Sequence, residues 1–79
     1  MYEKLKGLLT EWETYSNPKE EMPDRIRRKE KWSIGRSVEL TLTEMRGTKE
    51  YESITDEDKK IIDIIYNFLV AEASEKNLN

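Results

Sequence analysis

Six cations and one tryptophan fall within twelve residues of this 79-residue chain: Arg25, Arg27, Arg28, Lys29, Lys31 and Arg36, with Trp32 among them and Glu30 the lone acid. Guanidinium and ammonium groups neutralise phosphates or carboxylates, and an indole face stacks on a base or on a guanidinium. Arginine and tryptophan are also the residue types most enriched at the energetic centres of protein interfaces. The stretch therefore suits either a nucleic acid or an acidic protein surface. A plainer reading is a solvated helix face, since charge runs of this size are common on small surface helices.

The flanks favour the protein over the nucleic acid. Residues 1 to 24 carry three basic and six acidic groups, and residues 37 to 79 carry five basic and ten acidic, for a net charge of -3. A polyanion running beyond the basic stretch meets repulsion on both sides, and no helix-turn-helix, RNP or zinc-finger signature accompanies the cations. The compact acids Asp56, Glu57 and Asp58 are a candidate internal counter-charge. Within the stretch, Glu21 with Arg25 and Asp24 with Arg28 have favourable i,i+4 spacing, whereas Arg25 with Lys29 and Arg27 with Lys31 repel.

Catalytic chemistry has few carriers. Histidine and cysteine are absent, which removes thiolate nucleophiles, disulfides, zinc ligation and the side chain best suited to proton transfer near neutrality. Pro23 and Asp24, with Glu57, Asp58 and Lys59 far downstream, match the spacing of a nuclease family only superficially, because the later residues open a helix rather than sit on a strand. The acids at 56 to 58 lack the loop glycine and alternating oxygen ligands of a calcium hand, and capping accounts for them without a metal. A buried carboxylate at Glu72 could serve as acid or base, but its position near the chain end places it beyond the packed region. Gly7, Gly35 and Gly47 are isolated, so no glycine-rich loop is available to cradle phosphate.

Three helices must position these residues. Tyr2, Leu5, Leu8, Leu9, Trp12 and Tyr15 recur at spacings of three and four and predict a helix over 2 to 16, ended by Pro18. Pro23 and Asp24 open a second, expected over 23 to 46, with Arg46 and Gly47 as a left-handed C-terminal cap. Thr55 followed by three acids caps a third over 55 to 74, whose apolar residues from Ile61 to Leu69 cover roughly 200° of the helical wheel. That breadth predicts a helix placed between two others or one with apolar surface to spare. Fraying is expected from Glu75 to Asn79.

The middle segment allows a second reading. Trp32, Ile34, Val38, Leu40 and Leu42 all occupy even positions, so a β-hairpin at about 30 to 43 would turn them to one side, Trp32 included. The helical reading is preferred because an isolated two-stranded hairpin is marginal in water and nothing else offers a third strand. It directs Trp32 away from Ile34 and Val38. Trp12, Tyr15, Tyr51, Tyr66 and Phe68 are assigned to the core or its margin.

The expectation is thus an all-α, compact three-helix domain spanning 1 to 79, with the last helix central, and an α+β fold as the alternative. Its expected role is non-catalytic: a protein-binding regulator or inhibitor that covers a partner surface through Arg25, Arg27, Arg28, Lys29, Lys31, Trp32 and Arg36, or through a spare apolar face of the last helix. An acidic protein partner is expected, with a nucleic-acid binder as the alternative and a homodimer through the last helix as a further option. No cofactor or metal is expected. No apolar run approaches the roughly 18 to 20 residues of a membrane span, and the acidic start is unlike an export signal, so a cytoplasmic location is expected.

Overall fold

The computed structural model describes the backbone of residues 1 to 78 and the side chains of residues 1 to 75. The described residues form four helices: α1 (Tyr2–Ser16), α2 (Asp24–Met45), α3 (Lys49–Glu52) and α4 (Asp56–Leu78). No strand occurs among the described residues. The expected fraying of 75 to 79 falls mostly outside the described side chains, and Asn79 lies outside the described residues altogether.

The three long helices lie close to their expected spans. The count is four rather than three because Lys49–Glu52 winds a single turn, too short to leave a periodic signature. The hairpin alternative is replaced by uninterrupted helix through 30 to 43. Helical winding buries Ile34, Val38, Thr41, Leu42 and Met45 on one stripe and leaves Leu40 outside, 58% exposed. The Thr41 hydroxyl enters this stripe at little cost because it donates to the Ser37 carbonyl at 2.8 Å.

The core gathers Leu5, Leu9 and Trp12 of α1, the α2 stripe, Ile54 ahead of α4, and Ile62 and Ile65 of α4. Trp12 meets Phe68 edge to face, with ring centroids 5.1 Å apart. The central helix is α2, which packs against both α1 and α4; the last helix is not central as expected. A helix on the outside uses only part of a 200° apolar arc. Ile64, Tyr66 and Val70 of α4 are accordingly exposed.

Gly35 sets how closely α4 approaches α2. A Cβ there would stand 3.0 Å from Leu69 Cδ2 and 3.2 Å from Ile65 Cγ2, so both side chains rest on helix backbone where any other residue would hold them off. At the far end of α2, Gly47 turns the chain with φ 87°, and Thr48 donates both its amide (2.9 Å) and its hydroxyl (2.6 Å) to the Met45 carbonyl. That turn delivers α3. Its Glu50 accepts from the Tyr2 amide at 2.7 Å and pairs with the Met1 ammonium at 3.1 Å. The Tyr2 hydroxyl donates to Asp58 Oδ2 at 2.6 Å and accepts from the Thr55 amide at 3.2 Å, tying the start of α1 to the start of α4. The Thr55 hydroxyl accepts from the Asp58 amide, as its capping signature requires.

Two outcomes follow from these contacts. Gly35→Val should wedge α2 from α4 and lower stability by about 1–3 kcal/mol, whereas Gly7→Ala, with no atom within 4 Å of the added Cβ, should raise it by about 0.5–1 kcal/mol; urea titrations of both variants check the contrast, and equal midpoints would refute it. The second concerns pH. Hydrogen bonds from the Met1 ammonium and then the Tyr2 amide hold the Glu50 carboxyl below its ordinary value of 4.5. A carboxyl that binds its proton less tightly when folded adds stability above its unfolded pKa and loses it as pH falls through the lower folded value. Urea midpoints measured from about pH 6 down to about pH 3 should therefore fall less steeply in Glu50→Gln than in the parent.

Candidate functional site

Helical rotation of 100° per residue divides the basic stretch into separate faces. Arg27 and Lys31 turn toward the core side of α2, Arg28 turns toward α4, and Arg25, Lys29, Trp32 and Arg36 form an outward stripe at spacings of four, three and four. The seven residues therefore do not make one patch.

The inward and lateral cations are neutralised within the molecule. Arg27 reaches back one turn to Asp24 at 2.5 Å. Arg28 donates through Nε to Glu72 Oε1 at 3.0 Å, contacts the same oxygen through Nη2, and reaches Glu75 Oε2 at 2.9 Å. The Glu72 side chain is only 15% exposed, so this carboxylate belongs to the α2–α4 junction rather than to an unpacked end. The hydrogen bonds that Arg28 donates to Glu72, reinforced by the charges of Glu72 and Glu75, raise the Arg28 pKa further. Arg36 pairs with Glu39 at 2.8 Å and stands 6.0 Å from the centre of the Trp32 ring.

Lys31 leaves the surface patch for another reason. Its ammonium sits 4.7 Å from the Trp12 ring centre and 5.1 Å from that of Phe68, so one cation caps the aromatic contact between α1 and α4. Desolvation, with help from the Arg27 charge, holds this amine below its ordinary 10.5, while the two ring faces partly compensate the ammonium for lost water.

Arg25 and Lys29 are exposed and carry no ion pair among the described residues. Neither of the i,i+4 pairs expected from spacing forms: Asp24 takes Arg27, and Arg28 takes the acids of α4. Asp56, Glu57 and Asp58 do not supply the counter-charge either; Asp58 is held by Tyr2, and the acids that approach the basic stretch from another helix are Glu72 and Glu75. Among the described residues no group of three or more acids gathers where it could hold a metal ion. Asp24 borders a depression with Arg28 and Glu75, whereas Glu57 and Asp58 border another beside Lys6 and Glu13, so the nuclease-like residues do not share a cavity.

A trough follows the seam between α2 and α4. Three adjoining concavities of about 620, 350 and 550 Å³ succeed one another from α3 to the start of α2, the first two sharing Tyr66 and the last two sharing Trp32. Half-buried Trp32 faces Leu69 and Val70 across the middle section, and Val70 is 65% exposed. Tyr51 and Tyr66, assigned to the core margin from sequence, are instead exposed walls of the first section. The breadth of the α4 apolar arc was the sequence signal for this surface. Nothing in the sequence marked Tyr51, whose position depends on α3. Among the described residues no helix is long and apolar enough to cross a membrane.

Comparison of the chain with protein-family models, characterised proteins and solved structures finds no match. The functional reading accordingly rests on this geometry.

The position of Lys31 has a measurable consequence. Its proton is bound more tightly in the unfolded chain than in the folded one, so stability rises as pH climbs through the lowered folded pKa and levels off above the unfolded value of 10.5. Lys31→Met, which keeps an unbranched apolar side chain without the charge, should flatten this rise in urea midpoints recorded from about pH 8 upward. An unchanged slope would place the titration on another group.

Proposed function

We propose that the protein is a small non-catalytic binding protein that regulates or inhibits another protein by covering part of its surface, and that the partner presents an acidic, partly apolar segment. The observation that supports this is the outward stripe of Arg25, Lys29 and Trp32 beside the exposed apolar flank of α4. Two cations without internal partners lie next to an indole that borders one concavity with Leu69 and Val70. An interface built there has an apolar centre, where burial contributes most of the energy, and a charged rim that governs orientation and encounter rate.

Nucleic acid is the less favoured partner on the same observation. Of the six cations in the stretch, Arg27, Arg28 and Arg36 have carboxylate partners and Lys31 stands over the Trp12 and Phe68 rings. Two uncommitted charges give a weak phosphate track and little counterion release.

A randomised peptide library displayed on phage and panned against the protein tests the reading. Selected peptides should be rich in Asp and Glu with interspersed aromatic or aliphatic residues. Their affinity should fall about tenfold in the double variant Arg25→Glu, Lys29→Glu, largely through slower association, and should also fall in Val70→Asp, with circular dichroism unchanged in both. Peptides that ignore both variants would overturn the proposal. So would salt-steep binding of a labelled oligonucleotide lost in the double variant, or a concentration-dependent dimer in light scattering abolished by Val70→Asp, which would give the face to nucleic acid or to a second copy of the chain.

A further inference from the structure

The section of the trough beneath α3 differs in chemistry from the Trp32 end. Its floor is Leu42, Ile54 and Ile62, each less than a tenth exposed, and its walls are the rings of Tyr51 and Tyr66, 45% and 38% exposed. At about 620 Å³ it has the size of a pocket for a small organic molecule. Burying two half-exposed aromatic walls against a ligand recovers apolar area that the fold itself leaves wet.

Arg46 and Lys59 border this pocket and have no ion-pair partner among the described residues. Arg46 is the residue at which α2 ends: its amide still donates to the Leu42 carbonyl, and Gly47 then turns the chain away. Arg46 thus lines the pocket from a capped helix end. The Tyr66 hydroxyl responds to the charges of Glu39 and Arg46 and to Tyr51, and burial first, then Glu39, pushes its pKa up. It therefore stays protonated and able to donate into the pocket that Arg46 also lines. A planar fork with a neighbouring phenol is a donor set matched to a carboxylate. Glu52 and Asp63 also stand on the rim, and their charges oppose a phosphate or other polyanion more strongly than a single carboxylate.

We propose that this pocket is a binding site for an apolar monocarboxylate, an aliphatic or aryl chain resting on Leu42, Ile54 and Ile62 between Tyr51 and Tyr66 with its carboxylate on Arg46. The site is separate from the Arg25, Lys29 and Trp32 stripe and does not depend on the partner proposed there.

NMR titration of the full chain with octanoate and 3-phenylpropanoate, alongside octanol and octylamine, tests it. The two acids should give saturable shifts in the signals of Tyr51, Ile54, Ile62 and Tyr66. Arg46→Gln should weaken them about tenfold or more, the effect of removing a hydrogen bond to a charged group, while Lys29→Gln leaves them unchanged. Octanol should bind the parent no better than octanoate binds Arg46→Gln. Absence of saturable shifts, indifference to Arg46→Gln in a variant with unaltered circular dichroism, or equal affinity for octanol or octylamine would each overturn the proposal.

Discussion

The approach of α4 to the bare backbone of α2 at Gly35 is the constraint on which the rest of the arrangement depends. With Ile65 and Leu69 seated against that one position, α4 is held close to α2 at a point midway along both helices. Away from it, the seam must be filled by whatever side chains each helix presents. Toward the start of α2 the filling is ionic, Glu72 and Glu75 reaching Arg28. Toward α3 it is incomplete, and the seam opens into a cavity walled by Tyr51 and Tyr66. The trough is the consequence of packing two helices on a glycine and leaving the ends to longer side chains.

The same contact explains the mismatch between the breadth of apolar surface on α4 and its burial. Because α2 carries more of the packing between the long helices than α4 does, α4 places Ile61, Ile62, Ile65, Phe68 and Leu69 against the core and has Tyr66 and Val70 left over on the side of the trough. A 79-residue chain hides a smaller share of its surface than a large one, so apolar residues without a core position are costly to keep. Their retention beside Trp32 is what gives the face its character.

Much of this was legible in the sequence, and the parts that were not share a cause. The caps and breakers at Pro18, Pro23, Gly47 and Thr55 act through neighbouring backbone, so they mark α1, α2 and α4 to within a few residues. The even-position pattern in the middle segment was a true ambiguity of short apolar runs; helix wins because it buries Met45 and Thr41 along with Ile34 and Val38 at the cost of exposing Leu40 alone. The candidate site was read less well. Counting charge along the chain ignores that each residue turns 100° from the last, and it is this rotation that sends Lys31 over two rings and Arg27 to an acid of its own helix. The partners of Arg28 lie 44 and 47 residues away, beyond any local rule, and Tyr51 acquires its role from a single-turn helix that carries no periodic signal.

Internal neutralisation also determines how far an electrostatic attraction can extend. The stretch from 25 to 36 is strongly basic as sequence, yet after Asp24, Glu39, Glu72 and Glu75 have taken their partners its outward charge reduces to Arg25 and Lys29. These two sit on a molecule of net charge -3. At physiological ionic strength fields decay over about 8 Å, so a group within that distance of the stripe experiences attraction, while an anion extended well beyond it meets the field of a molecule with excess negative charge. On the proposed reading, such a surface discriminates by the length of the negative charge presented to it. A short acidic segment flanked by apolar residues satisfies both the two cations and the indole beside them, whereas a continuous polyanion satisfies the cations only by accepting repulsion along the rest of its length.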